Sequence, residues 1–334
     1  MSHDIRIAGT DLHFPCDTGQ TILDAALRFG IEMPYSCRKG VCGNCAGGIA
    51  SGQVQSPANA VAAAGQFLFC QCLPQTDLDI VPASWHCLDP AARKSFKAKV
   101  YRNTLAADDV SLLQLRLPAG QRARFKAGQY LQVRLPDGSQ RSYSMANPPH
   151  ESDMLQLHVR HVPGGVFTQL VAQLKPQDML DVELPFGNFE LREESAAPML
   201  CVVGGTGFAP VKSLLDDMLK KGIKRSVTLV WGGRNRGGIY LMGAVERWQK
   251  LMPGFQFIAA VEDAADAQTL QGFHGRVDDA VRARFESLAG HEVYCCGAPP
   301  MVAAVRKVCT LERGLDPHHF FSDVFVPGPA TPGA

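Results

Sequence analysis

The sequence has no apolar run approaching the ~18 residues of a membrane-spanning helix, and its start, MSHDIRIAGTDLHF, lacks the basic and apolar regions of a secretory signal. It also lacks a surplus of either charge. With 33 Lys+Arg against 32 Asp+Glu the formal net charge is +1, which excludes a globally basic nucleic-acid binder. The expectation is a cytoplasmic protein that engages neither membrane nor nucleic acid. Cysteine is missing between Cys87 and Cys201, although the chain holds 11 in all. Cys16, Cys37, Cys42, Cys45, Cys70, Cys72 and Cys87 crowd the first quarter, and only Cys201, Cys295, Cys296 and Cys309 follow. An odd total without an export signal argues against a disulfide framework and for metal or redox chemistry at the N-terminal cluster.

Three stretches differ in pattern. From Ile5 to about Pro82 a short strand precedes a helix that Thr21-Ile-Leu-Asp24 starts and Gly30 stops, and a Gly- and Cys-rich loop follows. From about Ser95 to Leu191 the apolar residues alternate: Leu113, Leu115 and Leu117, then Leu131, Val133 and Leu135, then Leu155, Leu157 and Val159. Asp137-Gly138 between two such runs reads as a hairpin turn, and the whole as a small antiparallel β-barrel. From about Ala197, solid apolar strands (Met199–Val203, Val227–Trp231, Phe255–Val261, Val293–Cys296) alternate with helical stretches, the pattern of a buried parallel α/β sheet. The expected division is 1–84, a linker 85–94, a barrel 95–193, a parallel domain 194–326 and a frayed tail 327–334.

Cys37-Arg-Lys-Gly-Val-Cys42-Gly-Asn-Cys45 has the Cx4Cx2C spacing of a plant-type [2Fe–2S] site, which needs a fourth thiolate downstream from Cys70 or Cys72. Gly40 and Gly43 let backbone N–H groups turn toward the sulfurs. A zinc knuckle would want two CxxC-like pairs, and this stretch has one. Cys16 and Cys87 have no metal-ligand spacing and read as plain buried or linker cysteines.

Arg141-Ser142-Tyr143-Ser144, which read alone is equally a strand-end Tyr beside a surface Arg, resembles the RxYS segment of the ferredoxin reductase superfamily, and in that resemblance Arg141 forks onto a flavin pyrophosphate, Tyr143 lies on the isoalloxazine and Ser144 bonds near its N5. In His158-Val-Arg160-His-Val-Pro-Gly164-Gly165-Val-Phe-Thr168 a strand enters a Gly-Gly turn and then a helix, whose first N–H groups and the Thr168 hydroxyl can meet phosphate. His158 and Arg160 join the candidate cofactor contacts, although His158 and His161, each taken alone, read as surface residues. Gly204-Gly205-Thr206-Gly207-Phe-Ala-Pro210 is not the GxGxxG form, but it follows a strand and opens a helix, as a phosphate-binding turn does. Arg234 and Arg236, after the next strand, are placed for the 2′-phosphate of NADPH, with NADH the alternative.

These segments carry a resemblance. Pro34-Tyr-Ser-Cys37 through Cys45 with Phe69-Cys70-Gln-Cys72 resembles the ferredoxin domain of oxygenase reductases, and RSYS, GGTGxAP and Cys296-Gly297-Ala-Pro-Pro-Met301 resemble the matching segments of the ferredoxin reductase superfamily. From Ile5 to Phe325 the chain is similar to the reductase components of Rieske-type aromatic-ring-hydroxylating dioxygenases. Related reductases serve monooxygenases and deoxysugar dehydratases. The resemblance implies a β-grasp ferredoxin domain, an FAD barrel and a Rossmann-like NAD(P) domain, with a terminal oxygenase as electron acceptor. It makes Cys70 the fourth ligand, places Cys296 beside the nicotinamide, and makes Phe325 a cover for the flavin and Asp323 an acid near Ser144.

Overall fold

The computed structural model describes residues 2–57, 66–87 and 93–326; the expected tail and residues 88–92 of the expected linker lie outside the described residues. The chain divides into two compact units, Met1–Ala92 and Arg93–Ala334.

In the first unit, strands Ser2–Ile7 and His13–Asp17 form a hairpin, and Leu78–Pro82 adds parallel to Ser2–Ile7. Ala46–Ser51 and Phe67–Leu68 complete a five-stranded mixed sheet with the β-grasp arrangement. The helix Ile22–Arg28 starts as the Thr21/Asp24 spacing predicts, because the Thr21 hydroxyl accepts the Asp24 N–H at 3.2 Å. It ends at Gly30, whose φ of +74° few other residues adopt readily. Ile22, Leu23, Ala25 and Ala26 pack inward with Ile5, Ile7, Phe14 and Ile80. His86–Cys87, within the expected linker, pairs antiparallel with Ile31–Glu32, and Cys87 is exposed.

The second unit begins with six antiparallel strands: Lys94–Ala107, Val110–Arg116, Tyr130–Arg134, Gln140–Ser144, Met154–Arg160 and Met179–Phe186. A bridge between Met145 and Leu157 joins the two edge strands and closes the barrel. The alternating leucines and valines fill its interior, and Asp137-Gly138 turns the hairpin as the pattern predicts. Alternation did not single out Lys94–Ala107 or Met179–Phe186, where small and charged residues separate the buried Phe96, Ala98, Val182 and Leu184.

The chain then forms a six-stranded parallel sheet ordered Phe273–His274, Phe255–Val261, Val227–Gly233, Met199–Gly204, Glu292–Gly297, Phe320–Val324. Helices Phe208–Lys221, Met242–Leu251 and Pro299–Lys307 cross between strands. Strand order reverses on either side of Met199–Gly204, so a crevice opens at the carboxyl ends of that strand and of Glu292–Gly297. Ligands of open α/β sheets bind at such a switch point.

A buried ion pair anchors the passage from barrel to sheet. Arg225 Nη2 meets Glu292 Oε2 at 2.9 Å with both side chains almost wholly enclosed, and Arg225 Nε donates to the Ala197 carbonyl at 2.8 Å. Burial pulls the Glu292 carboxyl up, but hydrogen bonds from Ser195 and Arg225 prevail and hold it below the ordinary range. Such a carboxylate stabilises the fold fully above the unfolded glutamate pKa, and the contribution is lost as pH falls through the folded value. Arg225→Met should therefore cost about 3–5 kcal/mol in denaturant unfolding near neutral pH and flatten the acid limb of the stability profile, because it strands the buried carboxylate.

Candidate functional site

The first unit gathers its thiols by strand pairing. Ala46 stands opposite Leu68, and the Phe69 N–H donates to the Cys45 carbonyl at 3.0 Å, so Cys70 emerges beside Cys45 although 25 residues separate them. Cys37, Cys42 and Cys45 lie on one loop that Gly40 and Gly43 turn at φ of +71° and +76°. Backbone N–H groups face the sulfurs: Lys39 and Cys42 donate to Cys37 Sγ at 3.3 and 3.4 Å, and Asn44 to Cys42 Sγ at 3.5 Å. The thiols stand in two hydrogen-bonded pairs. Cys42 draws Cys37 down to about 5 against burial, and Cys45, ahead of Gln71 and the Gly40 N–H, lowers Cys70 to about 7.

Two pairs of sulfurs with N–H donors around them fit a [2Fe–2S] cluster, in which each iron takes two protein ligands. Cys72 has different surroundings. It is fully buried, its carbonyl accepts the Ile22 N–H at the helix start, and burial raises its thiol. Cys16 is likewise buried and pushed up to about 11. Gln71, which the motif did not flag, donates Nε2 toward Cys70 Sγ at 3.6 Å.

In the second unit three expected segments converge. Strand Phe320–Val324 runs beside Glu292–Gly297 with Asp323 in register with Cys296, and Ser144 Oγ reaches Asp323 Oδ2 at 3.2 Å. All three side chains are buried, so Asp323 is no solvated surface acid. Burial, then the Asp323 charge, push the Cys296 thiol well up, which keeps it neutral. Phe325 follows, its N–H on the Gly297 carbonyl at 2.9 Å and its ring against the sheet's core.

The glycines of the phosphate turn are spatial necessities. A Cβ on Gly207 would stand 2.2 Å from the Cys296 carbonyl oxygen, and one on Gly205, at φ +54°, would press on the Arg160 guanidinium. Thr206 between them is half-buried, and the helix opens at Phe208.

Tyr143 packs against Phe167 at 4.9 Å, and Arg141 donates to its neighbour's carbonyl and stays half-exposed. Gly165 caps the helix Val166–Gln173 with no side-chain bond of its own, which leaves first-turn N–H groups available to an anion. The Thr168 hydroxyl is engaged by the Val162 and Gly165 carbonyls.

His158 corrects an expectation: it is not a surface residue. Its alternation partners Leu157 and Val159 fill the barrel, while its own side faces the parallel sheet, where Phe208 stacks and Tyr240 bonds its Nδ1 at 2.8 Å. Burial, helped by the Lys212 charge, lowers it to about 3. Its Nε2 has no protein partner among the described residues. Arg234 and Arg236 are exposed, and Arg236 lines a cavity of about 570 Å³ with Tyr240, Glu246 and Asp108. Tyr240 and Lys212 carry no motif, and nothing local in the sequence marks them.

Known proteins with this arrangement are consistent in kind. Residues 5–75 match the 2Fe-2S iron-sulfur cluster binding domain, 97–191 the oxidoreductase FAD-binding domain, and 200–307 the oxidoreductase NAD-binding domain. The fold and site define an NAD(P)H-dependent iron–sulfur flavoprotein oxidoreductase. Terephthalate 1,2-dioxygenase, reductase component 2, of Comamonas sp. is 54% identical over 334 residues, covering 98% of this chain and 99% of its own. Reductase component 1 from Comamonas sp. is 52% identical with the same coverage. A solved Amycolatopsis cytochrome P450 reductase superposes with a TM-score of 0.76 at 31% identity, covering 98% of this chain and 100% of its own. The chain belongs to this family of ferredoxin–FAD–NAD(P) reductases.

If Cys70 and not Cys72 completes the cluster, Cys70→Ser should bleach the visible iron–sulfur absorbance while Cys72→Ser retains most of it. Iron and sulfide analysis of the two purified variants checks the assignment.

Proposed function

We propose that the protein passes electrons from NAD(P)H, with NADPH favoured by Arg234 and Arg236, through FAD and a [2Fe–2S] cluster to the Rieske-type terminal oxygenase of an aromatic dioxygenase, with terephthalate as that enzyme's substrate. The observation that carries this reading is the convergence of Ser144, Cys296 and Asp323 where the flavin-type strand meets the nucleotide-type turn, in a chain whose other unit pairs four thiols. The 54% identity to a terephthalate dioxygenase reductase over nearly the whole chain supports the choice of partner. A cytoplasmic protein divided as 1–84, 95–193 and 194–326 goes with it, the expected linker 85–94 giving up His86–Cys87 and Lys94 to strands of its neighbours.

When bound, FAD supplies the conversion between the electron pair of a reduced nicotinamide and the single electrons a [2Fe–2S] cluster carries. The chain's residues supply position and environment. Cys37 with Cys42 and Cys45 with Cys70 would hold the cluster, within N–H groups that stabilise negative sulfur. Arg141, Arg160 and the backbone at Gly165 and Thr168 would receive the flavin pyrophosphate, the Thr168 hydroxyl being spent on the Val162 and Gly165 carbonyls, and Tyr143 and Phe325 would stand at the ring. Gly205, Thr206 and Gly207 would offer backbone to the nicotinamide dinucleotide's pyrophosphate, and Gly297 with Cys296 would bound the nicotinamide. Ser144, whose hydroxyl donates to Asp323, would offer its oxygen to the flavin edge, and His158 would stand among the cofactor contacts with an Nε2 that no described protein group engages. The buried neutral Cys296 excludes water there.

Two measurements test the proposal. With NADPH and a purified terephthalate dioxygenase oxygenase, product should form at least ~tenfold faster than turnover with a cytochrome P450 as acceptor; equal or reversed rates would transfer the protein to the monooxygenase reductases. Replacing Arg234 and Arg236 together with Ala should raise KM for NADPH by ~tenfold, about 1.4 kcal/mol, and leave NADH almost unchanged. Equal effects on both nucleotides would assign the arginines to the fold or to the shared pyrophosphate.

A further inference from the structure

The barrel and the parallel sheet share one compact unit, and a small set of side chains crosses the seam between them. From the first half of helix Phe208–Lys221, Lys212 donates Nζ to the Ala146 carbonyl at 3.1 Å, and Ser213 donates Oγ to the Asn147 carbonyl at 2.7 Å. On the other side of Phe208, Tyr240 and His158 share their 2.8 Å hydrogen bond.

The partners on both sides are informative. Ala146 and Asn147 directly continue the strand that ends in Ser144, and His158 lies two residues before Arg160. The helix that carries Lys212 and Ser213 is the one the Gly205–Gly207 turn opens. Each contact therefore joins a flavin-type segment to a nucleotide-type segment.

The contacts are rigid. Lys212 is only 13% exposed, and its ammonium is held from behind by Asp216 Oδ2 at 2.9 Å. Asp216 is fixed in turn by Trp248 Nε1 at 2.8 Å and by Arg247. His158 stays neutral and is enclosed by Phe208 and Tyr240, so its bond to Tyr240 is mechanical and not a proton store. Lys212 does not line the cavity beside Arg236; Tyr240 does, and Tyr240→Phe keeps its ring there while removing the hydroxyl that bonds His158.

We propose that Lys212 and Tyr240 are positioning residues that lock the nucleotide lobe to the flavin lobe and so set the register in which the nicotinamide meets the flavin. The inference rests on the reading of this unit as a nicotinamide–flavin reductase and adds the residues that set its geometry. Displacement of reacting groups by about 1 Å can cost two orders of magnitude in rate. Loosening the seam should therefore lower the rate of flavin reduction far more than nucleotide affinity.

The test uses the full-length, FAD-loaded protein and the variants Lys212→Met, Tyr240→Phe and Lys212→Arg. Rapid mixing with NADPH should show flavin reduction slowed at least ~tenfold in the first two, with KM within about twofold, FAD content unchanged, and the nicotinamide–flavin charge-transfer absorbance weakened. Lys212→Arg, which keeps a cation within reach of Ala146 and Asp216, should recover most of the rate. Before FAD is added, amide exchange should quicken at Ser144–Asn147 in Lys212→Met. Wild-type reduction rates and charge-transfer absorbance in both variants would overturn the proposal, as would a rise in KM with kcat unchanged, which would make these residues nucleotide ligands. A wild-type protein that neither nucleotide reduces would remove the underlying reading itself.

Discussion

The second unit depends on how closely two strand ends approach at the crevice of the parallel sheet. Gly207 passes so near the Cys296 carbonyl that no side chain fits between them. That approach brings the turn opening one helix against the end of the neighbouring strand. Asp323 stands in register with Cys296 one strand further out, and its carboxylate meets Ser144 of the barrel 179 residues away in sequence. A bulkier turn would separate the strand ends and with them every contact that follows.

The first unit solves a different problem. A loop that must surround a cluster has little apolar surface to bury, so its order comes from hydrogen bonds to sulfur and from the strands beneath it. The pairing of Ala46 with Leu68 delivers Cys70 to Cys45, and positive-φ glycines aim N–H groups at thiolates. In the second unit the order comes instead from enclosed side chains, the Phe208–Trp231 stack at 3.7 Å and the Arg225–Glu292 pair among them. Both units supply position and electrostatic surroundings to groups that carry the electrons themselves.

The barrel shows where pattern reading succeeds and stops. Leu131, Val133, Leu155, Leu157 and Val159 alternate with polar residues because one strand face meets the core and the other water, and all five are buried. The same rule misleads at His158. Its face of the strand would meet water in an isolated barrel, but the parallel sheet covers it, and a polar residue at an outward position became an enclosed one.

What the sequence by itself determined is local: the spacing of Cys37, Cys42 and Cys45, the Asp137-Gly138 turn, the glycines at Gly204–Gly207, and the order of the three architectural patterns. Each is set by steric and hydrogen-bonding demands that act within a few residues. Strand pairing turns the Cys70 thiol to Cys45 and leaves that of Cys72 in the core, a difference that spacing alone leaves open. The meeting of Ser144 with Asp323, the enclosure of His158 by Tyr240 and the anchoring of Lys212 between Asp216 and Ala146 were decided only by the tertiary structure. They join residues 66 to 179 positions apart, or hold them through partners that no periodicity encodes, because contact between lobes depends on how whole surfaces pack and not on the order of neighbouring side chains.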